Sequence, residues 1–302
     1  MSNYYDFIFR DAWEARDKIT KRQEREIRKL YNKWAREVRE QANQLSKIGT
    51  PESARQSREL AKLYYQLRSA SKQLTAEINT SIKDSIEYMA NAVTRCNKIW
   101  LKNLGFTDTS IDTKFSLNRD MAIRNIITGN IYTNGYSLSQ RLWQIEKNTM
   151  KDIYSIVAKG IAQNMSIYDI SKLLEKYIRP DAKIPYTMGV HQQVTDYSAQ
   201  RLARTLIQHT YQQTLVALTK DNPYVNGYIW HANGAHSCEL CEERDGQVYS
   251  ADDLPLDHPN GMCSMEPYID LEKMIREVSD WESELGNMYD FFQDLDFRPS
   301  MN

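Results

Sequence analysis

With 302 residues, 41% hydrophobic and 26% charged, and with only 11 glycines and 8 prolines, the chain has the composition of a soluble protein of two or three units built mainly from long helices. No apolar run reaches transmembrane length and the N-terminus lacks the basic-then-apolar order of a signal peptide; a reducing, cytoplasmic setting is therefore expected, where clustered cysteines bind metal or do chemistry more often than they pair. The net charge of −1 hides a gradient, from +8 over residues 1–104 and +4 over 105–236 to −13 over 237–302, which suggests different partners for the two ends.

From about Ala12 to Lys47 the residues are helix formers, with Ile27, Leu30, Trp34, Val38, Leu45 and Ile48 on one stripe. Gly49 and Pro51 break this pattern, and a second stripe follows at Leu60, Leu63, Leu67, Leu74, Ile78, Ile82, Met89 and Val93. Two long helices joined by a short turn predict an antiparallel hairpin over residues 1–104. The narrow stripes suit a projecting coiled coil, or a piece that packs on neighbouring subunits. The Arg- and Lys-rich run at 16–39 reads first as a solvated helix face with i,i+4 pairs. Contact with DNA phosphates or an acidic protein surface is the sharper alternative, weakened by Glu24, Glu26, Glu37 and Glu40 within the run.

Residues 105–220 read as a domain of shorter helices. Ser137 with Gln140, and Ser166 with Asp169, have capping-box spacing. A compact amphipathic helix follows Ser166, with Ile170, Leu173, Leu174 and Ile178 inward, and a longer one covers roughly 190–220, with Leu202, Leu206, Ile207, Tyr211, Leu215 and Leu218 on its apolar side. Residues 221–270 form a small module that opens with a strand, "YIWHA". Residues 271–302 are acidic; a helix spans much of them, and the end carries Phe291, Phe292, Leu295 and Phe297. That end reads either as a peptide that docks on a partner or as a frayed terminus.

The chemistry concentrates in residues 236–263, which hold three of the four cysteines and two of the five histidines. Cys238 and Cys241 are C-x2-C, with sixteen residues between Cys241 and His258 and four between His258 and Cys263. Three thiolates and one imidazole complete a tetrahedral Cys3His shell with no position for water, which points to structural rather than catalytic zinc. Zinc in small modules supplies roughly 10–16 kcal/mol of folding energy, enough to order an acidic segment with little core of its own. Asp245-Gly246 is a turn signal expected to sit in a short hairpin. His231 and His236 lie near enough to substitute as ligands, but the turn at Pro259-Asn260 favours His258. Cys96, alone on a helix, reads as a packed residue.

Two catalytic readings compete. Asp257-His258 beside a C-x2-C resembles the opening element of a metal-dependent HNH nuclease, but no histidine follows His258 to complete such a site. A nucleophilic cysteine with His258 or His236 as base is the second, and three neighbouring thiols argue against it. There is no P-loop or G-x-G-x-x-G, so nucleotide chemistry has no anchor.

The order Ala203-Arg204-Thr205 on a helix, Trp230, Cys238-x2-Cys241, Asp245-Gly246, His258-Pro259-Asn260, Cys263 and Pro267 resembles the C-terminal module of the phage Mu F-like head morphogenesis family, the minor head proteins of tailed phages. Gly160 and Ser166 resemble that family's helix entry, and the likeness covers roughly residues 115–270. Gly261, Met262 and Leu206 depart from residues common in the family (a Cys, an Arg and a Glu), but four ligands remain. The resemblance implies a structural protein rather than an enzyme. It would reside in the virion head after assembly in the host cytoplasm and associate with the portal protein and with major capsid or scaffold protein. It would act in head assembly or DNA delivery, with packaged DNA as a further candidate partner for the basic helices and no membrane or small-molecule substrate. Arg204 is expected on the helix surface, bridging to the zinc module. Trp230, Asp245, Phe291 and Phe292 complete the candidate binding residues.

Overall fold

A computed structural model gives the fold and describes residues 2–46, 53–103, 109–163, 165–180, 196–233 and 237–270. The expected turn at Gly49–Pro51, the break around Gly105, His236, the acidic helix after Asp270, and Phe291 and Phe292 lie outside the described residues.

The fold is mainly helical, with one small sheet near the C-terminus. α1 (Ser2–Ser46) and α2 (Ser53–Asn103) contain no Gly or Pro and would each reach about 70 Å at roughly 1.5 Å per residue. They run antiparallel: Gln23 Oε1 accepts from Ser85 Oγ at 2.5 Å and from Ser81 Oγ at 3.2 Å, and farther along α1 Lys33 Nζ meets Glu77 Oε1 at 3.2 Å. α1 starts well before Ala12, and its buried face extends to Phe9, Ala12, Arg16, Ile19 and Gln23. The expected stripe of α2 is buried from Leu63 to Val93 and continues through Cys96 and Trp100.

Among the described residues, four further helices follow in this part: α3 (Thr109–Thr128), α4 (Leu138–Ala162), α5 (Ile167–Ile178) and α6 (Tyr197–Thr219). Ser137 caps α4 in a reciprocal box with Gln140, and Ser166 Oγ accepts from the Asp169 amide at the start of α5. α4 and α5 approach closely at Gly160, where an added Cβ would lie 2.6 Å from Ile170 Cγ1. The hairpin does not stand apart as a projecting coiled coil. Tyr31, Trp34, Ala35 and Val38 of α1 and Leu63 to Ile86 of α2 share one hydrophobic core with Ile170, Leu174, Tyr177 and Ile178 of α5, Ile153 and Ile156 of α4, and Ala199, Ala203 and Leu206 of α6. Alanines and aromatics beside the narrow stripe widen the buried face, and each large apolar side chain in it contributes roughly 1.5–3 kcal/mol.

The chain divides into two compact units. The first contains these helices up to Leu218 together with Leu256–Cys263; the second contains Thr219–Pro255 and the residues from Ser264 on. In the second unit, β1 (Val225–His231) is the centre of an antiparallel sheet ordered β2-β1-β3, flanked by β2 (Val248–Tyr249) and β3 (Ser264–Ile269). A short helix, α7 (Glu239–Arg244), lies between β1 and β2 in sequence. Tyr228 and Trp230 are fully buried on β1. β3 tolerates Pro267 because it is an edge strand.

Candidate metal centre

Cys238 caps the N-terminus of α7, and its carbonyl accepts from the amides of Cys241 (2.9 Å) and Glu242 (3.0 Å). The C-x2-C therefore lies on one helical turn, with Cys238 exposed and Cys241 buried. Glu239 and Glu242 suit the first turn of this helix and Arg244 its last.

The hairpin expected around Asp245-Gly246 does not form. The helix occupies the preceding residues, and β2 pairs with β1 instead. Asp245 Oδ1 accepts from the Ala232 amide at 2.8 Å, the Gly246 amide donates to the Trp230 carbonyl at 2.8 Å, and Gly246 has φ +73°, a conformation that favours glycine. Asp245 thus ties the turn to the end of β1. Trp230 is core, with the Arg244 guanidinium 5.1 Å from its ring centroid and Tyr249 at its edge.

In the first unit, residues 256–263 form a loop built around a buried carboxylate. Asp257 Oδ2 accepts from the Cys263 amide (3.0 Å) and from Gln208 Nε2 (3.0 Å), and Asp257 Oδ1 accepts from the His258 amide (2.8 Å). The Gly261 amide closes the turn onto the His258 carbonyl at 2.8 Å, with Asn260 at φ +69°. His258 Nδ1 lies 3.1 Å from the Pro259 carbonyl. A carbonyl only accepts, so in this contact Nδ1 carries the proton.

α6 holds the loop with one polar face. Thr205 Oγ1 accepts from the Asn260 amide (3.2 Å), Gln212 Oε1 accepts from the Asp257 amide (3.1 Å), and His209 Nε2 donates to the Asp257 carbonyl (2.8 Å). The other nitrogen of His209 faces the Tyr132 hydroxyl at 2.9 Å. Burial lowers the His209 pKa, opposed by its bond to Asp257, and the ring is held neutral. Burial also pushes the Tyr132 phenol up to about 12, so it remains a donor.

Cys238, Cys241, His258 and Cys263 cluster. The donor atoms of Cys238, Cys241 and His258 lie within 4.8 Å of one another, and so do those of Cys241, Asp257 and Cys263. Two ligands of a tetrahedral zinc with bonds of about 2.3 Å stand about 3.8 Å apart, so each of these three-donor groups is of a size that could hold a metal ion. Asp257 belongs to the second group by position, but three N–H donors already occupy its carboxylate, which makes it the organiser of the loop.

The other predicted residues take different places. Arg204 Nε lies 3.0 Å from Glu24 Oε1 on α1, an ion pair within the helical unit, where a bridge to the zinc module was expected. His231 Nε2 pairs with Glu266 Oε1 at 3.4 Å across the sheet. Cys96 is packed as expected, and burial pushes its thiol up to about 11. Sequence reasoning missed Arg16, Gln208, His209 and Gln212. With Thr205, which the motif on this helix already named, the last three recur at i, i+3, i+4 and i+7, a periodicity that marks one helix face even though the residues are polar.

Compared with family models, curated proteins and solved structures, the chain has no significant match.

Proposed function

We propose that this chain is a structural minor head protein of a tailed bacteriophage, and that Cys238, Cys241, His258 and Cys263 hold one zinc ion. The observation that carries the reading is that the donor atoms of Cys238, Cys241 and His258 come within 4.8 Å of one another, while Cys263 shares a second such group with Cys241. It occurs in a stretch whose residue order resembles the C-terminal module of Mu F-like head proteins. Four protein ligands fill the shell of a tetrahedral ion, so the metal serves the fold and leaves no position for an activated water. In this reading the protein associates with the portal vertex and acts in head morphogenesis, with the long helices as packing surfaces for portal, capsid or scaffold subunits.

Metal analysis of purified protein, a DNA-nicking assay, and capture with the portal protein test the proposal. One zinc per chain, a lower melting temperature on chelation, no nicking, and binding to portal support it. Metal-dependent nicking abolished by His258→Ala replaces it with the nuclease reading. DNA affinity that falls steeply with salt, without portal binding, replaces it with a DNA-binding adaptor.

A further inference from the structure

We infer that Arg16, Gln208 and Asp257 are positioning residues that pre-form half of the metal site, holding Cys263 and His258 in ligand geometry before an ion arrives. The inference rests on the zinc reading above and deepens it. Both peptide groups of Cys263 are held by buried polar side chains. Its amide donates to Asp257 Oδ2 at 3.0 Å, and its carbonyl accepts from Arg16 Nη1 at 3.0 Å and from Gln208 Nε2 at 2.5 Å. Gln208 Oε1 also accepts from Arg16 Nη1 at 3.1 Å, so one amide side chain joins a guanidinium to a carboxylate. The same carboxylate fixes the His258 amide.

Arg16, Gln208 and Asp257 are 5%, 0% and 3% exposed. Burying a guanidinium and a carboxylate carries a desolvation cost that apolar packing of the loop would not. What this network adds over apolar packing is orientation, and it is aimed at the backbone of two of the four proposed ligands. Outer-shell partners of this kind typically change metal affinity by roughly 10–100-fold when removed.

The test is a cobalt(II) titration of the full chain, followed through the thiolate-to-cobalt absorption and then by zinc competition. Gln208→Met, which removes the amide at similar length, is compared with wild type and with Leu63→Ala. The latter is a destabilising change in the hairpin core and controls for a merely structural effect. The expected result is affinity roughly 10–100-fold weaker in Gln208→Met and unchanged in Leu63→Ala. Equal affinity in Gln208→Met and wild type overturns this inference alone; a wild type that binds neither metal overturns the zinc reading and this inference with it. Should Gln208→Met not fold, hydrogen exchange on metal-free wild type decides. Protected His258 and Cys263 amides support a pre-formed half-site, and exchange at the rate of an unstructured peptide overturns it.

Discussion

His209 donates through Nε2 to the main-chain carbonyl of Asp257 at 2.8 Å, which a ring buried at 4% exposure can do while neutral. Its folded pKa lies below the usual histidine value because burial disfavours the charged form. The unfolded chain takes up this proton near pH 6.5. Stability is therefore complete above about pH 6.5 and falls with pH below it, toward the lowered folded value, because only the unfolded state is protonated in that window. Glutamine can donate to Asp257 and accept from Tyr132 without titrating. Urea melts with chelator present should show a smaller loss between pH 7.5 and 5.5 for His209→Gln than for wild type. Equal losses would remove His209 as the cause.

The four cysteines should differ in reactivity. Cys238 is exposed, Cys241 and Cys263 are buried in the cluster, and the Cys96 thiol is pushed up to about 11 by burial. With chelator, a thiol reagent should modify Cys238 first; with zinc, the three clustered thiols should react slowly, since a coordinated thiolate is a poor nucleophile. Cys96 should react only after denaturation in either case. Mass mapping of the labelled peptides reads this directly, and a Cys238 rate indifferent to zinc would contradict ligation.

The Cys/His cluster was legible in the sequence because thiol and imidazole chemistry is carried by residue type and spacing. The stripes of α1 and α2 were legible for the same kind of reason, periodic Leu and Ile. What hid the rest was polar residues in buried places. Arg16 and Gln23 occupy the seam of α1 and made it appear to begin at Ile27. Gln208, His209 and Gln212 are buried by the 256–263 loop, a partner that helix periodicity alone does not announce. β3 was missed because six residues containing Pro267 look like loop until β1 supplies a neighbour. The Asp245-Gly246 hairpin failed because the residues before it, Glu239–Arg244, form a short helix and β2 pairs with β1 instead.

Gly160 should resist substitution. An alanine Cβ would meet Ile170 Cγ1 at 2.6 Å and Cδ1 at 2.9 Å, and Ile170 is fully buried. Overpacking of this kind costs roughly 1–3 kcal/mol, against a helix-propensity gain of about 1 kcal/mol for replacing glycine. A net loss of up to about 2 kcal/mol is expected for Gly160→Ala. The double variant with Ile170→Ala should lose less than the sum of the two single changes, as a double-mutant cycle in urea would measure. Strict additivity would show that the two helices do not meet at this pair.

Gly261 presents a sharper case, because the obstacle is the carboxylate that organises the loop. A Cβ at this position would fall within the van der Waals shell of both Asp257 oxygens. Those oxygens hold the amides of His258 and Cys263 and the side chain of Gln208, so making room means giving up hydrogen bonds to a charged group, each worth roughly 1.5–3 kcal/mol. Gly246 is the contrast: it has open space around it and only its φ of +73° to resist a side chain. Both alanine variants should lower the melting temperature, Gly246→Ala through backbone strain of about 1–2 kcal/mol. On the zinc reading, Gly261→Ala should also weaken zinc binding by about tenfold or more, since it displaces the backbone of two proposed ligands without touching their side chains. Isothermal titration with zinc separates the two effects: a Gly261→Ala chain that melts lower yet binds zinc like wild type would mean that the loop adjusts without moving Cys263 or His258.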